Sequence, residues 1–420
     1  MQNWKIKLSL YLNYFVFAIL LNSVGAVILQ VQRNFDVSKS DASVLEGFKD
    51  LPIAICSFIL ASFLPKIGYK KAMLIALALV SAISFTIPYA NGFWHFKLLF
   101  LVVGISFALI KVSVFATIGL ITKNIKEHSS FMGLLEGTFM IGVLLGNILF
   151  SLFIDNDNPK SAAWLSVYWI LGGLSLLAFI LLMTANLDES EAKVEGSSLS
   201  SDFLAMLRLI ALPLVIVFII SVFLFVLIEQ SFQTWTPTFY KDILKVPASM
   251  GIQAGAILAG AFAVGRFASG VILRRFSWIL VLTICIITCG SLVLLTLPLT
   301  QGIMASPDTN WTNAPIVAYI FPIMGIFLAP IYPTINSVIL SSLPKHLHSP
   351  MSGLIVVFSA LGGTTGSIIT GHVFEAFTGQ TAFYLSLIPM SILMVCLFIL
   401  NSLQKKSNTE VSFGNHSSGH

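Results

Sequence analysis

Residues 102–121 read VVGISFALIKVSVFATIGLI, an apolar run interrupted near its middle by one cation, Lys111. A run of this length predicts a helix that crosses a membrane, because a bilayer's hydrocarbon core takes roughly 20 helical residues to span. Of the 420 residues, 57% are hydrophobic and 10% are charged, and the mean hydropathy is +0.93. Soluble domains carry about 25% charged residues, so most of these apolar side chains are expected to face lipid or other helices.

Eleven further apolar runs accompany this one along the chain. The twelve runs cover residues 8–32, 42–64, 70–90, 97–121, 129–153, 163–186, 206–236, 249–273, 277–298, 315–341, 350–374 and 381–403. They are continuous, whereas the strands of membrane barrels alternate in polarity over about 10 residues. The first run is too long for a cleaved signal peptide and is expected to be retained. We therefore predict an all-α polytopic membrane protein with 12 transmembrane helices.

A polar connection, NLDESEAKVEGSSLSSD, occupies residues 186–202. It is acidic, rich in serine and poor in apolar residues, which is typical of a linker. Six apolar runs lie on each side of it. The predicted domains are an N-terminal six-helix bundle at 1–186, a cytoplasmic linker at 187–204, a C-terminal six-helix bundle at 205–403 and a cytoplasmic tail at 404–420.

The two halves resemble each other in sequence. At an offset of 220 residues, HSSFMGL at 128–134 matches HSPMSGL at 348–354, and four of the glycines that follow coincide in pairs. These glycines are Gly142 and Gly146 in the first half and Gly362 and Gly366 in the second. A duplicated six-helix unit predicts two pseudo-symmetric bundles with a site near the midplane at their interface. The glycines would let helices approach closely and slide, although a static bundle would use them equally well.

The distribution of lysine and arginine predicts the orientation. Loops on the side of the two termini hold more of these residues than the opposite loops, so the positive-inside rule places both termini in the cytoplasm. The expected location is a plasma membrane, which is the inner membrane in a bacterium. The net charge of +5 then reflects topology, and no nucleic-acid partner is predicted. The four cysteines fall in apolar runs without metal-ligand spacing, and neither a metal nor a cofactor is predicted.

The twelve runs, the acidic central connection and the short basic loops resemble the major facilitator superfamily. PKIGYKKAM at 65–73 is similar to the family's gating signature of glycine, acid, base, glycine and bases, but it lacks the acid. GRFASGVILRRF at 265–276 departs in the same way. The resemblance implies alternating access, with gating residues in these two segments. For Arg266, the alternative is a structural role. The implied gating residues are Gly68, Lys70, Lys71, Arg266, Arg274 and Arg275.

A narrower resemblance, to fucose and other sugar–proton symporters, rests on VLIEQSFQTWTPTFY at 226–240 and APIYPTIN at 329–336. That branch often carries an acid in the fourth span, where this chain has Lys111, so a carboxylate-bearing metabolite competes with a sugar as the substrate. The proline-linked signature of many drug antiporters is not evident in GTFMIGVLLGN at 137–147.

Few ionised residues lie inside the apolar runs. Each costs about 2.5–3.5 kcal/mol near the bilayer centre, so such residues are expected to face a cavity or one another. Glu46 and Asp50 are four residues apart and share a helical face with Lys49 beside them, and the same spacing separates Glu229 from Gln233. We predict that these two groups meet across the cavity mouth. For Glu46 and Lys49, the alternative is that their side chains extend to the membrane interface.

Lys111 and Glu136 lie at similar depth on consecutive helices, given a rise of about 1.5 Å per residue, and are predicted to be close. Burial favours the neutral form of a carboxyl group and a nearby lysine favours the ionised form. We therefore assign proton coupling to Glu136, Asp50 and Glu229, and let Lys111 hold an anionic group of the substrate. A purely structural ion pair between Lys111 and Glu136 is the alternative.

Polar and aromatic residues of the same central layer are predicted to bind the solute. Tyr332 occupies the position in the second half that is equivalent to Lys111 in the first. For an aromatic residue such as Trp235, the alternative is that it only packs against its neighbours. The predicted substrate-binding residues are Lys111, Asn22, Asn147, Gln233, Trp235, Tyr332 and Asn336.

Together these features predict a secondary transporter that imports a small polar solute by proton-coupled symport. The alternatives are a proton-driven exporter of drugs or metabolites on the same fold and a receptor or scaffold without transport. No nucleophile–base pair or metal set indicates an enzyme. The expected partners are the solute, a proton and the lipid bilayer, and a monomer is expected.

Overall fold

The computed structural model describes residues 4–121, 125–189, 208–273, 275–304, 309–343 and 348–416, and these residues fold into helices and connecting turns. The first half contains α1 (Trp4–Asn22), α2 (Val24–Asn34), α3 (Lys39–Ile67), α4 (Tyr69–Thr86), α5 (Trp94–Ile121), α6 (Ile125–Leu152) and α7 (Val167–Thr184). The second half contains α8 (Pro213–Asp242), α9 (Ala248–Ile272), α10 (Trp278–Thr296), α11 (Val317–Ile320), α12 (Met324–Leu328), α13 (Ile331–Ser341), α14 (His348–Ala376), α15 (Gly379–Leu385) and α16 (Leu387–His416).

Among the described residues, ten helical spans are long and apolar enough to cross a membrane, and Gly137–Leu152 of α6 is a shorter apolar helix. The remaining predicted run corresponds to α3, whose mean hydropathy is lowered by Glu46, Lys49 and Asp50. The predicted class, an all-α membrane protein with twelve transmembrane helices in two bundles, is confirmed. The domain boundaries stay predictions, because the linker lies outside the described residues from residue 190 onwards.

Helix α7 shows how the apolar runs divide between lipid and protein. It is apolar on all sides, as expected of a helix surrounded by hydrocarbon and other helices. Leu171, Ala178 and Leu182 are fully buried against the bundle, whereas Leu177 and Ile180 are 55% and 47% exposed. The helical period of 3.6 residues thus presents one apolar face to the core and the other to the membrane.

The internal repetition appears in the packing of equivalent helices. Gly146 of α6 lies against Ile19 of α1, where an added Cβ would come within 2.9 Å of the Ile19 Cγ2. Its repeat partner Gly366 of α14 lies directly against the carbonyl oxygen of Leu227 in α8. The crossing of α6 on α1 in the first half therefore matches the crossing of α14 on α8 in the second. This equivalence supports a duplicated six-helix unit.

Two interruptions in transmembrane helices face each other where the halves meet. The first transmembrane run breaks at Ser23, between α1 and α2. Helix α8 contains Pro237, which has no N–H and so leaves the carbonyl of Gln233 without its helical donor. Gly25 of α2 packs on this part of α8, and a Cβ on Gly25 would lie 2.6 Å from the Thr234 carbonyl oxygen. Interrupted helices at a bundle interface are typical of transporter binding sites.

Candidate functional site

Glu46 of α3 is fully buried at the boundary between the two halves. Its Oε1 accepts hydrogen bonds from Lys49 Nζ on the same helix and from Gln230 Nε2 of α8. Its Oε2 accepts a hydrogen bond of 3.1 Å from Thr234 Oγ1, also of α8. One carboxylate therefore joins donors from both halves. The alternative that Glu46 extends to the membrane interface does not fit this burial.

Lys49 connects Glu46 with a second carboxylate and with the helix break. Its Nζ lies 3.4 Å from Asp50 Oδ1 and 3.4 Å from the carbonyl oxygen of Leu21, just before the break between α1 and α2. Asp50 also faces α14, where a Cβ on Gly363 would lie 2.7 Å from Asp50 Oδ2. Buried charges persist in proteins when they are paired and hydrogen-bonded. Here the paired and hydrogen-bonded groups join α1, α3 and α8, and Asp50 lies against α14.

Two small cavities adjoin this polar cluster. One has a volume of about 30 Å³ and is lined by the amides of Asn22, Asn147 and Gln233 together with Pro237. The other, of about 20 Å³, is lined by Glu46, Lys49, Gln230 and Thr234, and it shares Asn22, Gly25 and Gln233 with the first. The structure therefore brings three of the predicted substrate-binding residues together. A water molecule accounts for roughly 30 Å³ of liquid volume, so these cavities must widen before a larger solute can enter.

Glu229 lies in the second half and adjoins the polar cluster through Gln233, which lines both cavities. Its Oε1 accepts a hydrogen bond of 3.2 Å from Gln233 Nε2, and it lies within electrostatic range of Arg266. Arg266 Nη1 reaches the Met140 sulfur of α6 at 3.7 Å, across the boundary between the halves. The Tyr332 hydroxyl lies 3.1 Å from Ser359 Oγ. In the first predicted acidic group, Glu46 thus contacts α8 and Asp50 lies against α14. In the second, Glu229 lies near Arg266.

The remaining predicted site residues are more scattered. Lys111 is half-buried, with its Nζ 6.0 Å from the centre of the Phe107 ring. The side chain of Glu136 lies outside the described part of α6, so its pairing with Lys111 stays a prediction. Trp235 is fully buried and donates from Nε1 to the Ser367 carbonyl oxygen at 3.1 Å, so it packs within its bundle in this conformation. The Oδ1 atom of Asn336 is buried and has no hydrogen-bond donor among the described residues.

The segment at 65–73 lacks the acidic residue of the family's gating signature. In the structure, Glu189 places a carboxylate beside this segment, which the sequence did not reveal. Gly68, with φ at +94°, joins α3 to α4, and the Lys70 N–H donates to Glu189 Oε1 at 2.7 Å. Lys70 Nζ in turn donates to the Ala185 carbonyl oxygen at 2.6 Å, just beyond α7. A carboxylate at the N-terminus of α4 is stabilised by the helix dipole. The available signal was the acidic segment directly after the sixth run, which we interpreted as linker.

The other predicted gating residues are placed only in part. Lys71 is exposed on α4, and Arg275 is exposed in the turn between α9 and α10. Arg274 lies outside the described residues. The gating roles of all these residues stay predictions.

The end of the molecule that holds α2 and the start of α3, which we call the α2 end, is joined by polar contacts between the halves. Lys39 Nζ lies 2.6 Å from Asp242 Oδ2, and the Ser40 N–H donates to Glu375 Oε2 at 2.7 Å. A third contact between the halves is the hydrogen bond of 2.8 Å that Asn156 Nδ2 donates to Ser249 Oγ. The two halves are therefore closed against each other at this end.

Replacing Lys39 by alanine is expected to raise the fraction of molecules in which the α2 end is open. The Lys39 and Asp242 side chains are 26% and 35% exposed, and ion pairs at exposed positions contribute about 0.2–1 kcal/mol. A thiol-reactive, water-soluble reagent should therefore label Asn22→Cys about 1.5- to 5-fold faster in the variant.

Lys160→Ala serves as the control, because Lys160 pairs with Asp36 at 3.5 Å within the first half. The reversed pair, Lys39→Asp with Asp242→Lys, should restore slow labelling. Equal labelling rates in wild type and Lys39→Ala would show that the pair does not hold this end closed.

Comparison with known proteins was made on both sequence and fold. The sequence profile of the Major Facilitator Superfamily matches residues 10–366. A protein from Buchnera aphidicola subsp. Acyrthosiphon pisum (strain APS), called "Protein TsgA homolog", is 21% identical over 397 residues, which is 94% of each chain.

Two crystal structures show the shared fold. The nucleoside transporter NupG is 15% identical with a TM-score of 0.69, over 94% of this chain and 98% of NupG. A variant of the E. coli fucose–proton symporter is 16% identical with a TM-score of 0.61, over 95% of this chain and 99% of the symporter. At these identities the likeness to solved structures shows the fold alone, and the sequence profile confirms the predicted resemblance to the superfamily. The narrower resemblance to the fucose symporter branch is consistent with this shared fold. The protein belongs to the major facilitator superfamily and is a multi-pass membrane transporter rather than an enzyme.

Proposed function

We propose that this transporter couples the movement of a small polar solute to that of a proton, in symport, and that Glu46 carries the proton together with its neighbour Asp50. The observation that supports this proposal is the position of the Glu46 carboxylate, which accepts hydrogen bonds from Lys49 of its own half and from Gln230 and Thr234 of the other. A proton on Glu46 removes the charge that all three donors recognise. Proton binding at this position is thereby linked to contact between the halves.

The energies of these contacts are of the size that such a linkage requires. Hydrogen bonds to charged groups contribute about 1.5–3 kcal/mol each, so the two bonds from α8 to ionised Glu46 favour joined halves by about 3–6 kcal/mol. Neutral hydrogen bonds contribute about 0.5–1.5 kcal/mol each, so protonation of Glu46 weakens the two contacts by about 2–3 kcal/mol in total. This changes the equilibrium constant between joined and separated halves about 30- to 150-fold. Lys49 remains paired with Asp50 when Glu46 is neutral.

The lining of the larger cavity favours a neutral solute that carries hydroxyl groups. Asn22, Asn147 and Gln233 present amides, and each amide both donates and accepts hydrogen bonds, which suits hydroxyls better than carboxylates. The names of the nucleoside transporter and of the fucose–proton symporter with the same fold describe solutes of this kind. A sugar-like solute is therefore our first candidate, and a carboxylate-bearing metabolite held by Lys111 is the second.

An uptake screen in proteoliposomes tests this function. Radiolabelled sugars, nucleosides and carboxylates are offered at an imposed pH gradient, with and without a protonophore. Symport predicts that at least one solute accumulates against its gradient when protons flow in the same direction, and that the protonophore stops it. Accumulation of the solute driven by protons that flow in the opposite direction would instead indicate the exporter. Absence of flux for every solute class in either direction would contradict transport of these solutes.

The two candidate solutes are distinguished by Lys111→Ala. If Lys111 binds a carboxylate of the solute, the KM for uptake should rise about 10-fold or more, because a hydrogen bond to a charged group worth about 1.5–3 kcal/mol is lost. A sugar-like solute predicts an unchanged KM. If Lys111 instead pairs with Glu136, the variant should melt at a lower temperature, and the double variant with Glu136→Ala should recover much of the loss. Unchanged KM and unchanged melting together would exclude both roles of Lys111.

A further inference from the structure

A lateral groove of about 290 Å³ opens on the side of the second half, away from the interface between the halves. Its walls come from α9, α10 and the segment around α12 and α13, and include Ala268, Ile272, Leu280, Ile284, Phe327 and Pro330. Ile272, Leu280 and Ile284 are 42%, 47% and 52% exposed. In a membrane transporter, exposed apolar side chains on the outer faces of transmembrane helices face lipid. The groove therefore opens towards the hydrocarbon of the bilayer.

The groove lies where α9 carries small residues. At Gly265 the helix touches the segment before α13, so closely that an added Cβ would overlap the Ile326 carbonyl oxygen. One turn further on, Ala268 and Ser269 line the groove and are too short to fill it. Its volume is about ten times the roughly 30 Å³ that a water molecule occupies in the liquid. An apolar space of this size loses dispersion contacts unless it is filled, and a flexible hydrocarbon chain can fill it.

One end of the groove lies beside a cation. Ile272 and Phe276 both line the groove, and Arg275 stands between them in the turn that joins α9 to α10. The Arg275 side chain is exposed, and its guanidinium group forms no hydrogen bond or ion pair within the described part of the chain, while its backbone N–H donates to the Ile272 carbonyl oxygen at 3.0 Å. A turn between transmembrane helices lies at the level of the lipid headgroups. The guanidinium group matches the geometry of a phosphate better than any other side chain.

We propose that this groove binds one anionic phospholipid of the bilayer, with an acyl chain between α9 and α10 and the phosphate on Arg275. Basic residues at the ends of transmembrane helices are known to attract anionic headgroups. The proposal concerns the outside of the second half and does not depend on the transported solute. Anionic headgroup preference and acyl-chain binding are separate consequences, so each can be tested by its own variant.

A second lateral groove provides an internal comparison. It has a volume of about 230 Å³ and is lined by residues that include Leu227, Ile369, Ala382 and Ile388. No lysine or arginine adjoins any of its lining residues in the sequence. Acyl chains that enter this groove should show no preference for an anionic headgroup. The comparison therefore isolates the contribution of Arg275.

Native mass spectrometry of the purified full-length protein tests the proposal, with added phosphatidylglycerol or phosphatidylcholine of identical acyl chains. Wild type should bind one phosphatidylglycerol about 5-fold or more tightly than phosphatidylcholine. Arg275→Gln should reduce this to the affinity for phosphatidylcholine. Ala268→Leu, which fills the groove, should remove this one bound lipid of either kind, whereas Ala382→Leu in the second groove should leave the headgroup preference intact.

Two results would overturn the proposal: equal affinity of wild type for the two lipids, or a preference for phosphatidylglycerol that survives Arg275→Gln. Folding of each variant is checked by its elution on size exclusion. If Ala268→Leu does not fold, Arg275→Gln still decides the question, because its side chain lies in an exposed turn and fills no packed position.

Discussion

Glu46→Gln is expected to abolish proton-driven accumulation of the solute while leaving the solute able to cross the membrane. Glutamine keeps the size of the side chain and can accept from Thr234, but it cannot gain and release a proton. In proteoliposomes with an inward proton gradient, accumulation should fall about 10-fold or more, to the level reached without a gradient, as expected when coupling of more than about 1.4 kcal/mol is lost. Exchange of labelled for unlabelled solute should continue.

Asp41→Asn is the matched control for this prediction. Asp41 is a carboxylate on the same helix, but it is exposed and hydrogen-bonds to Ser38 at the helix N-terminus. Its replacement should leave gradient-driven accumulation unchanged. Gradient-driven accumulation by Glu46→Gln at the wild-type level would remove Glu46 from the proton pathway. Asp50→Asn and Glu229→Gln would then be the variants to measure.

Gly366→Val is expected to destabilise the second half strongly. The Gly366 backbone touches the Leu227 carbonyl oxygen of α8, so a side chain at this position must push two backbones apart. Overpacking typically costs about 1–3 kcal/mol, and more when the backbone has to move. The midpoint of thermal unfolding in detergent should fall by about 5 °C or more, as followed by size exclusion with fluorescence detection.

Gly173→Val in α7 makes the same chemical change where nothing lies within 4 Å of an added Cβ. It carries the same gain in helix propensity, a few tenths of a kcal/mol, because valine forms helices more readily than glycine. The difference between the two variants therefore measures the close approach of α14 to α8. Equal melting temperatures would mean that this approach contributes little to stability.

The membrane class, the number of runs and the duplication could be predicted from the sequence because each depends on local composition. A continuous apolar run can be recognised without knowing which residues it packs against. The matched glycines Gly146 and Gly366 are separated by the same offset as the rest of the repeat. Their packing against α1 and α8 follows from the absence of a side chain. The amides of Asn22, Asn147 and Gln233 were also found this way, since polar residues within apolar runs are few.

The contacts of Glu46 could not be predicted by the same means. The sequence shows three charges within one turn and a half of helix, and this spacing fits both a buried cluster and side chains that extend to the interface. Its partner Gln230 is 184 residues away. Glu189 was missed for a related reason, because it contacts Lys70 across 119 residues and belongs to a segment with the composition of a linker.

By itself, the sequence determined that this chain crosses the membrane many times, that it consists of two related halves and that a few ionised residues lie inside the apolar runs. The tertiary structure alone decided which of those charges meet. Hydropathy is a property of each residue and can be summed along the chain, whereas the energy of a buried charge depends on the donors around it. Two of the three donors to Glu46, Gln230 and Thr234, come from α8, in the other half, and reach Glu46 only when the two bundles pack together.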